Sequence, residues 1–232
     1  MYILGIETTG KYASVSLLDL DSNEILLEKS SGEERSHLKG LIPMIDSVLH
    51  ETGVKKSEIK YIACSTGPGS FTGIRIGVAT ARALAQGLGV LVIPVPTLDA
   101  FMYKEGIEKE KCVAPIIYAR RGQVYASVLS DGKYLLEPGP YMLDDILEIT
   151  KGVSEVTFLG DGTIFYSDRL KDPRFKVFPS IYQDSKSVLK YAKDNLDKAV
   201  SYNELLPLYM RITEAEAKLN SGELKITKMR QD

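Results

Sequence analysis

Apolar residues change their period along the chain, and the changes mark its elements. Tyr2 to Ile6, Ala13 to Leu18 and Ile25 to Glu28 are short runs rich in β-favouring residues. They are parted by Thr8 to Lys11 and by the polar stretch Asp19 to Asn23, and they read as an antiparallel meander. Leu38, Leu41, Ile42, Ile45, Val48 and Leu49 then fall at helical spacing, on one face, ending near Gly53. Tyr61 to Ser65 predicts a strand, Gly77 to Leu88 an Ala-rich helix, and Val90 to Val95 a further strand. The first half therefore reads β-β-β-α-β-α-β.

Pro94 and Pro96 mark a boundary, crossed by a predicted helix from Thr97 to Glu105. Val113 to Tyr118, Gln123 to Ser130 and Lys133 to Glu137 then repeat the opening order of three strands. Asp144 to Thr150 predicts a short helix, Val156 to Leu159 a strand, and Ser185 to Asp197 a helix. Two halves with the same beginning suggest an α/β protein of two duplicated lobes, divided as 1–98 and 99–232.

Between the predicted strand and the Ala-rich helix lies Ser65-Thr66-Gly67-Pro68-Gly69-Ser70-Phe71-Thr72-Gly73-Ile74-Arg75. Gly67 and Gly69 permit backbone angles that a Cβ forbids. Ser70 suits a helix N-cap. A glycine loop opening a helix can hold an anion, but no Lys follows Gly73 as a phosphate-binding P-loop would require. The plainer reading is a rigid turn that aims a helix. Gly73, Gly77, Ala81 and Ala85 recur every four residues, a stripe that lets another backbone approach closely.

Composition narrows the field. The chain has 232 residues, 44% hydrophobic and 26% charged, with a formal net charge of −2. That balance supports a buried core and gives no overall electrostatic case for binding nucleic acid alone. The tail residues Lys225, Lys228 and Arg230 leave room for a local basic patch. Cys64 and Cys112 lie in apolar runs without metal-ligand spacing and read as buried thiols. His37 and His50 fall at the two ends of one predicted helix, too far apart to share a metal. Ser70 lacks the sequence of a hydrolase nucleophile elbow. Glu7 reads as a hydrogen-bonded strand-end residue. Arg120 and Arg121 suit phosphate or an acidic partner surface. Met1 to Gly5 has no basic region and no long apolar core, so a cytoplasmic protein without signal peptide or membrane span is expected.

The glycine stretch resembles the signature of the TsaB (YeaZ) family, the bacterial accessory subunits of the machinery that makes N6-threonylcarbamoyladenosine in tRNA. Ile3 to Thr9 is similar to the family's opening, and Arg35-Ser36-His37-Leu38 with Leu41 to Ile45 to its first helix. Ile117 to Tyr125, Gly160-Asp161-Gly162 and Pro207-Leu208-Tyr209-Met210-Arg211 resemble later family segments in the same order. Three positions depart from the pattern. Glu7 and Tyr118 each stand where Asp is usual, and Leu38 where a Ser follows the His.

The resemblance implies two actin-like (RNase H-like) lobes, each a mixed sheet flanked by helices, the second smaller or degenerate. It implies a non-catalytic subunit with no resident metal and no required cofactor, and at most weak ADP or ATP at a partner junction. The direct partner is then TsaD, with TsaE as third component, tRNA bound through the complex, and a homodimer when the chain is alone. The alternative is a nucleotide-binding or metal-dependent glycoprotease-like enzyme of the same superfamily. Expected at the partner and dimer interface are Leu38, Leu41, Ile42, Ile45, Phe71, Gly73, Ile74, Gly77 and Ala81. Gly67, Pro68, Gly69, Ser70, Thr72 and Arg75 form the signature loop. Thr8, Thr9, Gly10, Gly160, Asp161 and Gly162 are candidates for touching nucleotide. On this reading Gly77→Leu breaks both contacts and leaves the monomer folded.

Overall fold

The computed structural model describes residues 1–32, 37–108, 111–120, 122–178 and 182–210, with residues 37–39 given by backbone alone. Two five-stranded sheets share one topology. In the first, β1 (Tyr2–Glu7), β2 (Ser14–Asp19), β3 (Glu24–Ser30), β4 (Ile59–Gly67) and β5 (Leu91–Pro96) take the order β3-β2-β1-β4-β5. In the second, β6 (Cys112–Arg120), β7 (Gln123–Ser130), β8 (Lys133–Met142), β9 (Val156–Leu159) and β10 (Phe175–Val177) run β10-β9-β6-β7-β8. In each sheet the first three strands pair antiparallel and the last two join in parallel. The duplicated mixed α/β lobes expected from the sequence are therefore present. The second lobe is not the smaller in strands; its helices are the shorter ones.

Helices α1 (His37–Thr52) and α2 (Phe71–Leu88) cover one face of the first sheet. Leu41, Ile45, Val48 and Leu49 of α1 and Ile74, Val78, Ala81 and Ala85 of α2 pack on Leu4, Ile6, Leu17 and Ile62. Burying a side chain of this size stabilises by roughly 1.5–3 kcal/mol. Glycine in the left-handed conformation ends α2 at Gly89.

The other faces are covered by an exchange. Helix α3 (Thr97–Phe101) follows the first sheet yet packs Leu98 and Phe101 on Val113, Ile117 and Leu159 of the second. After α4 (Leu143–Ile149) and the single turn α5 (Gly162–Phe165), α6 (Ser185–Asp194) returns to the first sheet. Its Val188, Leu189 and Ala192 pack on Ile3, Ala63 and Ile93. Gly5 gives α6 its room, because a Cβ there would sit 2.7 Å from Leu189 Cγ. Val92 and Val200 then bridge, which fastens the chain beyond α6 to the edge strand β5.

Several boundaries differ from the sequence reading. Helix α3 stops at Phe101 rather than Glu105, as the next residues turn inward and carry Lys104 to a buried ion pair with Asp184. Strand β8 runs on to Met142 through Pro138 and Pro140, which an edge strand tolerates. Both cysteines are free and buried. No helix among the described residues is long and apolar enough to cross a membrane.

Candidate functional site

The signature loop is a joint between β1 and α2. Gly67 and Gly69 adopt φ of +115° and +155°, where side chains are rarely tolerated. A Cβ on Gly67 would lie 2.6 Å from the Leu208 carbonyl oxygen. On Gly69 it would overlap the Thr9 carbonyl, and on Gly73 the Thr8 carbonyl. On Gly77 it would overlap the Thr8 hydroxyl. The turn after β1 thus presses into a furrow that the glycines leave along the start of α2. Hydrogen bonds complete the seat: Ser70 N–H donates to Thr9 O at 2.7 Å, and Thr8 Oγ1 donates to Gly73 O at 2.7 Å. Ser70 caps the helix as its sequence suggests, accepting from Gly73 N–H at 3.2 Å.

A buried carboxylate holds the turn from beneath. Glu7 accepts from the Thr9 N–H, from Thr9 Oγ1 at 2.7 Å, and from Ser65 Oγ at the end of β4. Burial raises its pKa, against the lowering effect of the Ser65 and Thr9 hydrogen bonds. In the second lobe Asp161 accepts from Tyr118 N–H at 2.8 Å, and burial raises its pKa too. Gly160 and Gly162 both press against the Ile116 carbonyl.

These contacts sort the expected interface residues. Leu41, Ile45, Ile74 and Ala81 are buried in the chain's own core. Gly73 and Gly77 are likewise buried and face the Thr8 turn. Ile42 and Phe71 are exposed, at 49% and 45%. The Leu38 side chain lies outside the described residues, as do Arg35, Ser36, Arg121 and the tail cations Lys225, Lys228 and Arg230. The expectation that Gly77→Leu leaves a folded monomer is corrected: its side chain has no room against Thr8. The exposed side of α2 carries Thr72, Arg75, Ala79 and Ala83 instead.

Of the nucleotide candidates, Thr9, Gly10 and Asp161 line one cleft between the lobes, of about 530 Å³, together with Lys11 and Ser70. Thr9 N–H is engaged by Glu7, and Gln183 covers Gly10. The Tyr118 ring stacks on Phe165 with centroids 4.0 Å apart at the cleft wall. His50 is exposed, and no cluster of three metal-ligating residues occurs among the described residues.

One contact had no role in the sequence reading. Tyr209 stacks on Phe71 with centroids 5.0 Å apart, and its hydroxyl accepts from Arg75 Nε at 3.0 Å. The Arg75 guanidinium sits 4.1 Å from the Phe71 centroid. The closing segment Pro207 to Arg211 was visible as a motif, but nothing in it signals a clasp on α2.

The model of the TsaD family, tRNA N6-adenosine threonylcarbamoyltransferase, matches residues 29–169. The tRNA threonylcarbamoyladenosine biosynthesis protein TsaB of Bacillus subtilis is 30% identical over 227 residues, 94% of this chain and 97% of that protein. The chain belongs to the TsaB family. TsaB of Escherichia coli is 34% identical over 129 residues, 54% of this chain and 53% of that protein. YeaZ from Pseudomonas aeruginosa superposes with a TM-score of 0.73 at 26% identity, covering 90% of this chain and 99% of that one. A second solved structure, an uncharacterized protein with similarity to peptidase YeaZ from Pseudomonas aeruginosa, superposes with a TM-score of 0.74 at 26% identity, covering 90% of this chain and 99% of that one. Within the TsaB family frame, the signature glycines of this chain act first as an internal joint.

Proposed function

We propose that this chain is a non-catalytic subunit of the machinery that makes N6-threonylcarbamoyladenosine in tRNA, and that it binds and supports TsaD. Membership of the TsaB family supports the pathway. The observation that carries the subunit reading is the joint itself. The turn that would face phosphate has its Thr9 amide on the chain's own Glu7 carboxylate and its Thr8 and Thr9 carbonyls seated on α2. Such a turn is built to hold a helix still. Helix α2 then presents Phe71, Thr72 and Arg75 on a rigid mount, and α1 presents Ile42.

On this reading TsaE joins as third component and tRNA is held through the complex. The chain alone forms a homodimer that competes with TsaD for the exposed sides of α1 and α2. No cofactor is required by this chain, and ADP or ATP binds only weakly at the junction with the partner. The protein works in the cytoplasm. Co-purification with TsaD of the same organism, followed by a tRNA modification assay with and without this chain, tests the proposal. Complex formation and modification that depends on the chain are expected. ATP turnover by the chain alone, with no complex, would overturn it.

A further inference from the structure

The last described residues form a strap between the lobes. Leu205 is buried in the first core, Leu208 N–H donates to Thr66 O at 2.8 Å, and Met210 packs beside Ile117 and Tyr125 of the second lobe. Beside the strap lies a cavity of about 420 Å³, walled by Phe71, Ile74, Tyr118, Ala119, Tyr125 and Leu208. Large apolar side chains of its lining remain exposed: Phe71 at 45%, Tyr209 at 42% and Leu208 at 37%. Clustered exposure of this kind marks an interaction site.

We propose that this cavity is the socket for an apolar side chain, flanked by a carboxylate, of the protein partner that docks on α2. The inference rests on the subunit reading above and names the chemistry of the contact. Two observations select this occupant. Phe71 belongs both to the exposed first turn of α2 and to the cavity wall, so a partner lying on α2 reaches the socket without a gap. Arg75 leans over Phe71 at the mouth, and it pairs with no carboxylate among the described residues. A cation beside an apolar socket calls for an acidic neighbour to the inserted side chain.

The same charge separates this occupant from the others. A second copy docked α2 on α2 offers Thr72, Arg75, Ala79 and Ala83 and no carboxylate, so the homodimer can form on this face without supplying the acidic flank. RNA needs a wider basic field than a chain of net charge −2 supplies. An anchor side chain in a desolvated pocket is the usual centre of a protein interface.

Ala119 is half-buried at the wall, so Ala119→Trp fills the socket from within the full-length chain. Calorimetric titration against TsaD of the same organism should show affinity weakened by about tenfold or more, as expected for loss of an anchor, at an unchanged thermal midpoint. Arg75→Glu, on the exposed helix surface, should weaken binding severalfold, and less so at high salt. It stands as the second variant should the tryptophan disturb the fold. Wild-type affinity in both variants overturns the socket while leaving the subunit reading intact. Failure of the unmodified chain to bind TsaD removes the subunit reading itself. Loss of tRNA binding alone, or of self-association alone, with TsaD affinity unchanged, also overturns the proposal.

Discussion

Each lobe fastens its central strand with one carboxylate, fully buried in the first and half-buried in the second, and from opposite sides of the joint. In the first lobe the carboxylate is Glu7, on the central strand β1, and it reaches across to Ser65 on β4. In the second it is Asp161, on the loop after β9, and it reaches back to the Tyr118 amide on β6. Glycines make the close approach in both: Gly69 and Gly73 receive the Thr9 and Thr8 carbonyls, and Gly160 and Gly162 receive Ile116. The helix beyond the joint differs in length. In the first lobe the joint launches the eighteen-residue α2, in the second only the four-residue α5. The duplicated frame thus keeps a common stitch and varies what the stitch supports. Moving the carboxylate to the loop leaves β6 free to carry Tyr118, whose ring stacks on Phe165 between the lobes.

The comparison can be broken most severely at Gly73. Gly73→Ala places a methyl group into the Thr8 carbonyl, and we expect a loss of about 3 kcal/mol, the upper end of overpacking costs. Urea denaturation measures it; a variant as stable as the parent would mean that the turn is not seated on the helix. Next in size are the two stitches. Glu7→Ala leaves the Thr9 amide and the Ser65 hydroxyl without their acceptor and should cost about 2–3 kcal/mol, whereas Asp161→Ala, with one reaching bond to lose, should cost about 1 kcal/mol. Equal losses would erase the asymmetry between the lobes.

A pH series sharpens the same point. Burial raises the Glu7 pKa, so the folded state holds that proton more tightly than the unfolded chain does. Its contribution to stability is complete below the ordinary glutamate pKa and is lost as pH rises through the folded value. Thermal midpoints of the parent should therefore fall relative to those of Glu7→Gln as pH climbs above about 4.3, the ordinary glutamate value. Parallel curves would show that Glu7 titrates normally. The smallest effect is expected at Gly87, also in α2, where an added Cβ meets nothing within 4 Å. Gly87→Ala should stabilise by about 0.5–1 kcal/mol through helix propensity, opposite in sign to Gly73→Ala.

Much of the frame was legible because apolar runs and their periods are local signals. The three-strand opening of each lobe, α1, and the Ser70 cap all followed from residues near one another in sequence. The rest depended on contacts that spacing does not encode. Phe175 to Val177 is too short for a pattern, and Gly160-Asp161-Gly162 looked like a turn while opening α5. The strand expected to end at Glu137 runs on through Pro138 and Pro140 along a sheet edge. The stripe from Gly73 to Ala81 showed that some backbone approaches α2 closely, but not whose. Gly73 and Gly77 meet the chain's own Thr8 and Ala81 the core, while Ala79, Ala83 and Gly87 are as small and face outward. Side-chain exposure divided Ile42 and Phe71 from their buried neighbours, and only the fold supplies it.

The helix exchange carries a consequence for the order in which the protein is made. One face of the first sheet is closed by Val188, Leu189 and Ala192, and its outer strand is fastened by Val200. A ribosome finishes the five strands of that sheet long before it reaches these residues. Until α6 emerges, Ile3, Ala63 and Ile93 have no cover from their own helix, and the nascent chain carries an open apolar surface while the whole second sheet is made. The residues translated after the second sheet are the ones that seal the first.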